Sequence, residues 1–201
     1  PTVSAFEQAV AALEEGEAAL AFGSGMAAIH AALLGLGLRA GSAAVVAQDV
    51  YGATYALFQL LASQGVEVRF VDAADLEAVA AACEASSPAV LFCETVSNPL
   101  LKVADIPRLA EIAHRQGAAL VVDNTFATPY LCRPLQMGAD VVLHSATKYI
   151  GGHGDALGGV LVTSAERRQA IYEVLKITGG NLGPQDAWLL MRGLKTLALR
   201  M

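Results

Sequence analysis

The chain has 201 residues, of which 55% are hydrophobic and 16% charged, and its formal net charge is −6. This composition excludes an intrinsically disordered protein, which would be poor in apolar residues and rich in charge. The length suits one large α/β domain or two small ones. The negative net charge offers no basic face, so we expect no nucleic-acid partner.

Seven short apolar runs predict β-strands along the chain. They lie at Ala18–Phe22, Ala43–Ala47, Val66–Val71, Ala89–Cys93, Ala118–Val122, Asp140–Leu143 and Gly159–Thr163. Amphipathic stretches between or beside them predict helices at Val3–Glu15, Tyr55–Ser63, Asp75–Ala85, Ile106–Arg115 and Gln185–Arg192. Gly65 and Gly117 stand where helix C-caps are expected. Because strands and helices alternate, we predict an α/β fold with a mostly parallel seven-stranded sheet and helices on both faces.

This alternation ends near Tyr172, and residues 178–184 have the composition of a loop. No flexible linker divides the chain, so we expect residues 1–201 to form one domain. The longest apolar stretch, residues 21–38, is interrupted by four glycines and His30, which argues against a membrane span. Three scattered cysteines without paired spacing favour a reducing compartment, so we expect a cytoplasmic protein.

Ligands of parallel α/β sheets bind at the carboxyl ends of the strands, so residues that follow strands are the candidates for a site. The first strand is followed by Gly23, Ser24, Gly25 and Met26. This turn would present backbone amides and a helix N-terminus to an anion, or it would simply provide a tight turn. It also fits a loose dinucleotide-binding pattern, with Asp49 as the ribose-binding acid.

Two further strands are followed by side chains suited to a planar polar ligand. Tyr51 could present an aromatic face or could simply pack in its loop. Asn98, held extended by the following proline, could direct its amide at a ligand oxygen or could make a local turn bond.

The fifth and sixth predicted strands are followed by charged residues. Asp123 is a carboxylate at the end of a buried strand, where it would either cap a helix or pair with a cationic ring nitrogen. Lys148 would be a surface lysine or an amine nucleophile that forms a Schiff base. Ser145 and Thr147 could donate hydrogen bonds to a phosphate. The nearby histidines match no zinc-site spacing, so we expect no metal.

Together these residues supply backbone amides for an anion, an aromatic ring for stacking, a carboxylate, a lysine and hydroxyl donors. Pyridoxal phosphate (PLP) needs such a set, because it binds through a lysine Schiff base and an acidic partner of its pyridine nitrogen.

The run from Asp140 to Gly154 resembles the PLP-attachment signature of the Cys/Met metabolism family. That family includes cystathionine γ-synthase, cystathionine γ-lyase, methionine γ-lyase and O-acetylhomoserine sulfhydrylase. Other segments resemble family landmarks in the family's order: Pro1-Thr2, Ser24-Gly25-Met26, Tyr51-Gly52-Ala53-Thr54, Ser97-Asn98-Pro99, Val122-Asp123-Asn124-Thr125 and Arg192-Gly193-Leu194-Lys195-Thr196-Leu197.

The resemblance implies the large, PLP-binding domain of the aspartate-aminotransferase-like, type I fold. It implies that Lys148 carries the cofactor covalently as an aldimine, that Asp123 keeps the pyridine nitrogen protonated, and that Tyr51 stacks on the ring. Gly25, Met26, Ser145 and Thr147 would bind the phosphate, with Ser24 in the same turn. Asn98 would lie near the ring hydroxyl, and Thr125 and Glu94 would be supporting residues.

For activity, the resemblance implies a carbon–sulfur lyase that performs γ-elimination on methionine or cystathionine. The alternative is γ-replacement by a sulfhydrylase or a cystathionine γ-synthase, since Ala53 stands where methionine γ-lyases carry cysteine. A small amino acid would be the substrate and a homo-oligomer, a dimer of dimers, the assembly. The family's phosphate-binding tyrosine and arginine from a neighbouring subunit would precede Pro1, and its small domain would follow Met201. Outside this reading, the remaining hypotheses are an NAD-binding dehydrogenase and a non-catalytic PLP-binding fragment.

Overall fold

A single seven-stranded sheet organises the protein, as a computed structural model that describes residues 1–201 shows. The strands are β1 Ala18–Phe22, β2 Ala43–Ala47, β3 Glu67–Val71, β4 Val90–Glu94, β5 Ala119–Asp123, β6 Val141–Ser145 and β7 Gly159–Thr163. Their order across the sheet is β1-β7-β6-β5-β4-β2-β3. β7 runs antiparallel to both of its neighbours, and the other paired strands are parallel.

Nine α-helices cover the sheet. They are α1 Thr2–Glu14, α2 Gly25–Gly35, α3 Gly52–Ser63, α4 Leu76–Ser86, α5 Ile106–Arg115, α6 Thr128–Leu131, α7 Ala165–Thr178, α8 Pro184–Leu194 and α9 Leu197–Arg200, with a 3₁₀ turn at Pro134–Met137. Helices α1 and α8 pack on one face of the sheet near β1 and β7, while α2 and α7 pack on the other. None of the helices combines the length and the apolar character that crossing a membrane requires.

Burial on both faces explains why the central strands are continuously apolar. Every residue of β2, β4 and β7 is buried. The register places Glu94, the last residue of β4, directly beside Asp123, the last residue of β5. Two carboxylates therefore lie side by side at the carboxyl edge of the sheet.

The predicted α/β fold and its seven strands are confirmed, and each strand begins and ends within two residues of its prediction. Gly65 and Gly117 follow α3 and α5 with φ angles of 95° and 71°, as the C-cap prediction required. Helix α7 was not predicted. Half of its residues are polar, and only Ile171 and Leu175 are buried. The amphipathic signal that identifies a helix is therefore weak there.

Candidate active site

The structure brings all ten predicted site residues into one cleft at the carboxyl edge of the sheet. The cleft contains about 880 Å³ of free space, including its mouth, which is open to solvent. Its predicted lining residues are Ser24, Gly25, Met26, Tyr51, Asn98, Asp123, Thr125, Ser145, Thr147 and Lys148. Ile29, Glu94, Val96 and Phe126 complete the lining.

One end of the cleft is the N-terminus of α2. The hydroxyl of Ser24 caps this helix by accepting a hydrogen bond from the Ala27 N–H at 3.1 Å. The N–H groups of Gly25 and Met26 lie in the first helical turn, where no intrahelical acceptor exists. A Cβ at position 25 would lie 2.9 Å from the Cβ of Ser145, and one at Gly159 would overlap the Ser24 carbonyl. Glycines thus let this turn approach β6 and β7, and the unpaired amides of Gly25 and Met26 lie at the cleft.

Asp123 leaves one carboxylate oxygen open at the base of the cleft. Its Oδ1 accepts hydrogen bonds from the Thr125 N–H at 2.9 Å and from the Thr125 hydroxyl at 2.5 Å. The same hydroxyl oxygen accepts from the Ser145 N–H at 2.8 Å, which links β5 to β6. Burial raises the pKa of Asp123 in spite of these hydrogen bonds, which lower it. Asp123 caps no helix, so the open Oδ2 is suited to a cationic donor.

Lys148 lies in the turn that follows β6, and its exposed side chain lines the cleft. Its ammonium group forms no hydrogen bond or ion pair with the chain. The neighbouring Thr147 hydroxyl donates to the Gly158 carbonyl at 3.2 Å and accepts from the Gly158 N–H at 3.0 Å. The Ser145 hydroxyl is free of such bonds, so it is better placed than Thr147 to donate to a ligand.

The segment that follows Lys148 is held by the end of α8 and by α9. The guanidinium of Arg200 donates to the carbonyls of Tyr149 at 2.5 Å and Gly193 at 2.8 Å. Gly193 packs against the carbonyls of Ile150 and Gly151, where a Cβ would overlap both oxygens. The Arg192–Leu197 landmark in the sequence is therefore part of the support for the lysine turn.

Glu94 lies between two segments that carry predicted ligand-binding residues. Its Oε1 accepts from the Tyr51 N–H at 2.7 Å and its Oε2 from the Asn98 N–H at 2.9 Å. Burial, and then the nearby charge of Asp123, raise the pKa of Glu94 to about 7, although both hydrogen bonds oppose the rise. The sequence resemblance named Glu94 only as a supporting residue. Its contact with Tyr51 could not be predicted, because the two residues lie 43 positions apart.

The strand order contradicts the dinucleotide-binding alternative. The glycine turn follows β1 at one edge of the sheet, and four strands separate β1 from β2, which precedes Asp49. The Asp49 carboxylate is also engaged, since it pairs with the Lys102 ammonium at 2.7 Å. A ribose-binding acid would have to lie beside the glycine turn. The glycine turn and Asp49 therefore cannot serve one dinucleotide.

Two sequence relatives carry names from sulfur amino-acid metabolism. Over the whole chain, 50% of residues are identical to cystathionine γ-lyase of Bacillus subtilis and 48% to L-methionine γ-lyase of Fusobacterium nucleatum subsp. nucleatum. The match covers 53% and 51% of those proteins, so the chain spans about half the length of the curated relatives it matches.

A solved structure supports the same relationship. The fold matches cystathionine γ-synthase from Xanthomonas oryzae pv. oryzae, solved in complex with aminoacrylate and cysteine, with a TM-score of 0.95 and 40% sequence identity. This match covers 99% of the chain and 51% of that protein. It confirms the predicted type I fold of PLP-dependent enzymes. Since the family described as Cys/Met metabolism PLP-dependent enzyme matches residues 1–201, the chain belongs to that family.

Proposed function

We propose that the protein containing this chain catalyses γ-elimination on methionine or cystathionine, with PLP held by Lys148. One observation carries the proposal: the unpaired Lys148 amine and the open Oδ2 of Asp123 line the same cleft. PLP requires both groups, a lysine for covalent attachment and an acid for its ring nitrogen. The donor set of the cleft therefore fits the cofactor of the family.

The other cleft residues would hold the remaining parts of the cofactor. The N–H groups of Gly25 and Met26, together with the Ser145 hydroxyl, would bind the phosphate at the positive end of the α2 dipole. Ser24 shapes that turn as the helix cap. Thr147 would contribute its hydroxyl only by giving up its donation to the Gly158 carbonyl.

Tyr51 and Asn98 would contact the ring. Both residues line the cleft, and the Tyr51 side chain is 49% exposed, so its aromatic face is available for stacking. The Asn98 amide would donate to the ring hydroxyl oxygen. Thr125 would act indirectly, by fixing the Asp123 carboxylate through two hydrogen bonds to Oδ1.

When bound, PLP supplies an electron-withdrawing ring that stabilises negative charge developing on the substrate carbons. Asp123 would support this by keeping a proton on the ring nitrogen through its Oδ2. The Lys148 amine, which has no ion-pair partner, would take a proton from the substrate Cα and move protons at Cβ. The Tyr51 hydroxyl would pass a proton to the departing sulfur group.

Support for γ-elimination comes from two lyases among the relatives, a cystathionine γ-lyase and an L-methionine γ-lyase. The second candidate is γ-replacement, in which a thiol adds at the carbon the leaving group vacates. It is supported by the match to a cystathionine γ-synthase and by Ala53, where methionine γ-lyases carry cysteine.

Product assays on the protein expressed from its natural coding sequence separate the two candidates. We expect 2-oxobutyrate release from methionine or cystathionine without an added thiol. If O-acetylhomoserine is consumed only when sulfide or cysteine is supplied, replacement is the activity. Pyruvate in place of 2-oxobutyrate from cystathionine would contradict elimination at the γ carbon.

The substitution Lys148→Ala tests the cofactor assignment. We expect it to abolish turnover and the visible absorbance of bound PLP. Borohydride reduction should add the mass of PLP to the peptide containing residue 148 in the unsubstituted protein but not in the variant. Lys176→Ala is the matched control, because Lys176 is an exposed lysine of α7 that pairs with Glu173. Full activity in the Lys148 variant would rule out the assignment.

We also propose that the protein works as a homo-oligomer. An apolar groove beside the cleft supports this, since Leu101, Val103 and Leu131 are 63%, 74% and 62% exposed there. The groove includes Phe126, which also lines the cleft, so a second copy seated on it would lie next to the cofactor. Leu131→Glu should shift the protein to smaller species in sedimentation velocity. Ile177→Glu, at an exposed position of α7 outside the groove, should not.

A further inference from the structure

The Glu94 carboxylate bridges the two loops that carry the ring-facing residues of the cleft. Tyr51 follows β2 and Asn98 follows β4, and their backbone N–H groups bind different oxygens of this one side chain. Glu94 is 92% buried by area, being 8% exposed. Nothing else in the structure joins the Tyr51 and Asn98 backbones through a single group, so their relative position depends on this carboxylate.

The charges around Glu94 do not neutralise it. Asp123 lies beside it on β5, and Asp49 lies near it after β2. Lys102, the nearest cation on that side, is already shared between Asp49 and Asp72 at 2.7 and 2.8 Å. Lys148 lines the cleft but forms no ion pair with Glu94. The negative form of Glu94 is therefore stabilised mainly by the two backbone N–H groups.

We propose that Glu94 is a positioning residue that, as a carboxylate, holds Tyr51 and Asn98 together at the cleft and, when protonated, holds one of them less tightly. This inference rests on the proposed function, because it assigns Tyr51 and Asn98 to the PLP ring. In addition, the positions of Tyr51 and Asn98 would depend on the protonation state of Glu94, which does not itself react.

The reason is the difference in hydrogen-bonding capacity between the two forms. An ionised carboxylate accepts on both oxygens, whereas a protonated one carries an O–H donor on one of them. The hydroxyl oxygen keeps some acceptor capacity, but it is a weaker acceptor than a carboxylate oxygen. The hydrogen bond from one of the two loops is then weakened. Burial and Asp123 raise the pKa of Glu94 to about 7, so the change falls near neutral pH.

Nuclear magnetic resonance of the cofactor-free protein tests this directly. The protein is expressed from its natural coding sequence with ¹⁵N-labelled tyrosine and asparagine, and the two resonances are assigned from Tyr51→Phe and Asn98→Ser. We expect the backbone amide resonances of both residues to shift together, with one midpoint near pH 7. Different midpoints for the two amides, or no shift around neutral pH, would overturn the proposal.

Substitutions at Glu94 separate its titration from that of Asp123. In Glu94→Gln the common shift should vanish, since the amide does not titrate, while Asp123 remains. Glu7→Gln is the matched control, because Glu7 is a half-buried glutamate that also accepts a backbone N–H, from Ala21 at 2.9 Å. It should leave the Tyr51 and Asn98 titration unchanged. If Glu94→Gln does not fold, Glu94→Asp serves instead, and an unmoved midpoint in it counts against the proposal.

PLP titration of the same samples separates this inference from the proposed function. If the amides fail to titrate together while PLP still attaches to Lys148, the positioning role of Glu94 is wrong and the cofactor site stands. If PLP does not attach in any sample, the proposed function fails, whatever the amides do. If both proposals are correct, the PLP affinity of the unsubstituted protein should fall as the pH drops through 7. In Glu94→Gln this fall should be smaller, because the part due to Glu94 is missing.

Discussion

A single pair of fully buried residues, Glu14 and His144, lies behind the cleft. The Glu14 Oε1 is 2.6 Å from His144 Nε2 and accepts a hydrogen bond from the Asn124 amide at 3.0 Å. His144 precedes Ser145 and Asn124 follows Asp123, so this contact ties α1 to the ends of β5 and β6. Removing one partner of such a buried contact leaves the other group unpaired away from water, and this lowers the stability of the folded protein.

Replacing Glu14 should therefore destabilise the protein strongly. In Glu14→Ala, His144 and the Asn124 amide lose their shared acceptor in a dry environment, and we expect the free energy of unfolding to fall by about 3 kcal/mol. Urea denaturation followed by circular dichroism measures this change.

The neighbouring Glu15→Ala is the control for that experiment. Glu15 is half exposed and pairs with Arg133 at 2.7 Å on the surface. An exposed ion pair contributes at most about 1 kcal/mol, so the loss should be small. Equal losses in the two variants would show that the buried contact has no special weight.

At this scale the sequence predicted which side chains meet but not how they are bonded. Polar residues directly after apolar strands converge because parallel strands end at one edge, and this located Tyr51, Asp123 and Lys148. The engagement of Thr147 with Gly158 and the bridge from Glu94 to Tyr51 depend on loop conformation. No residue pattern along the chain encodes contacts of that kind.

At the scale of elements, the turn that carries Lys148 depends on helices α8 and α9. The Arg200 guanidinium reaches three backbone carbonyls around it, those of Tyr149, Ile150 and Gly193, and its Nε donates to the Thr196 hydroxyl at 3.1 Å. The helix backbone at Gly193 touches the lysine turn directly. Helix α8 can lie this close to the turn because residue 193 has no side chain.

Gly193→Ala should push these two elements apart. The added Cβ would overlap backbone oxygens, which cannot rotate away, so we expect the free energy of unfolding to fall by about 2 kcal/mol and PLP binding to weaken. Gly52→Ala makes the same change in α3, where the Cβ meets nothing within 4 Å. That variant should be as stable as the parent or slightly more so. Calorimetry and PLP titration compare the two.

Element boundaries were predictable where burial was strong. Strands such as β5 are short apolar runs that stop at a polar residue, and α5 has a sharply divided apolar face with Asp105 as its cap. Helix α7 buries only two side chains, Ile171 and Leu175, and was missed. The antiparallel direction of β7 was not predicted either. No helix separates it from β6, so the long crossover that parallel strands need is absent.

For the molecule as a whole, buried carboxylates make stability depend on pH in an unusual direction. Burial raises the pKa values of Glu7, Glu94 and Asp123, so the folded state holds protons that the unfolded state releases. Their stabilising effect is complete below the ordinary pKa of a carboxylate and is lost as pH rises through the folded pKa. For Glu94 this window runs from 4.5 to about 7.

We therefore expect the cofactor-free protein to melt at a higher temperature near pH 5.5 than near pH 7.5, as differential scanning calorimetry would show. Between these two pH values the Glu94 contribution is on the order of 2 kcal/mol, from its shift in pKa. Asp72 and Asp155 have lowered pKa values and stay ionised over this range, so they do not oppose the trend. Glu94→Gln should flatten the dependence. A melting temperature that rises steadily towards pH 7.5 would contradict this account.

The position of β1 in the sheet has a consequence for synthesis on the ribosome. β1 is the first strand to be made, yet its only partner is β7, the last strand. Until residues 159–163 have emerged, the backbone edge of β1 has no neighbouring strand, and the glycine turn that follows it cannot join Lys148. The earliest part of the cleft to be translated is thus the last to be enclosed, and a nascent chain that ends before β7 should be unable to retain the cofactor.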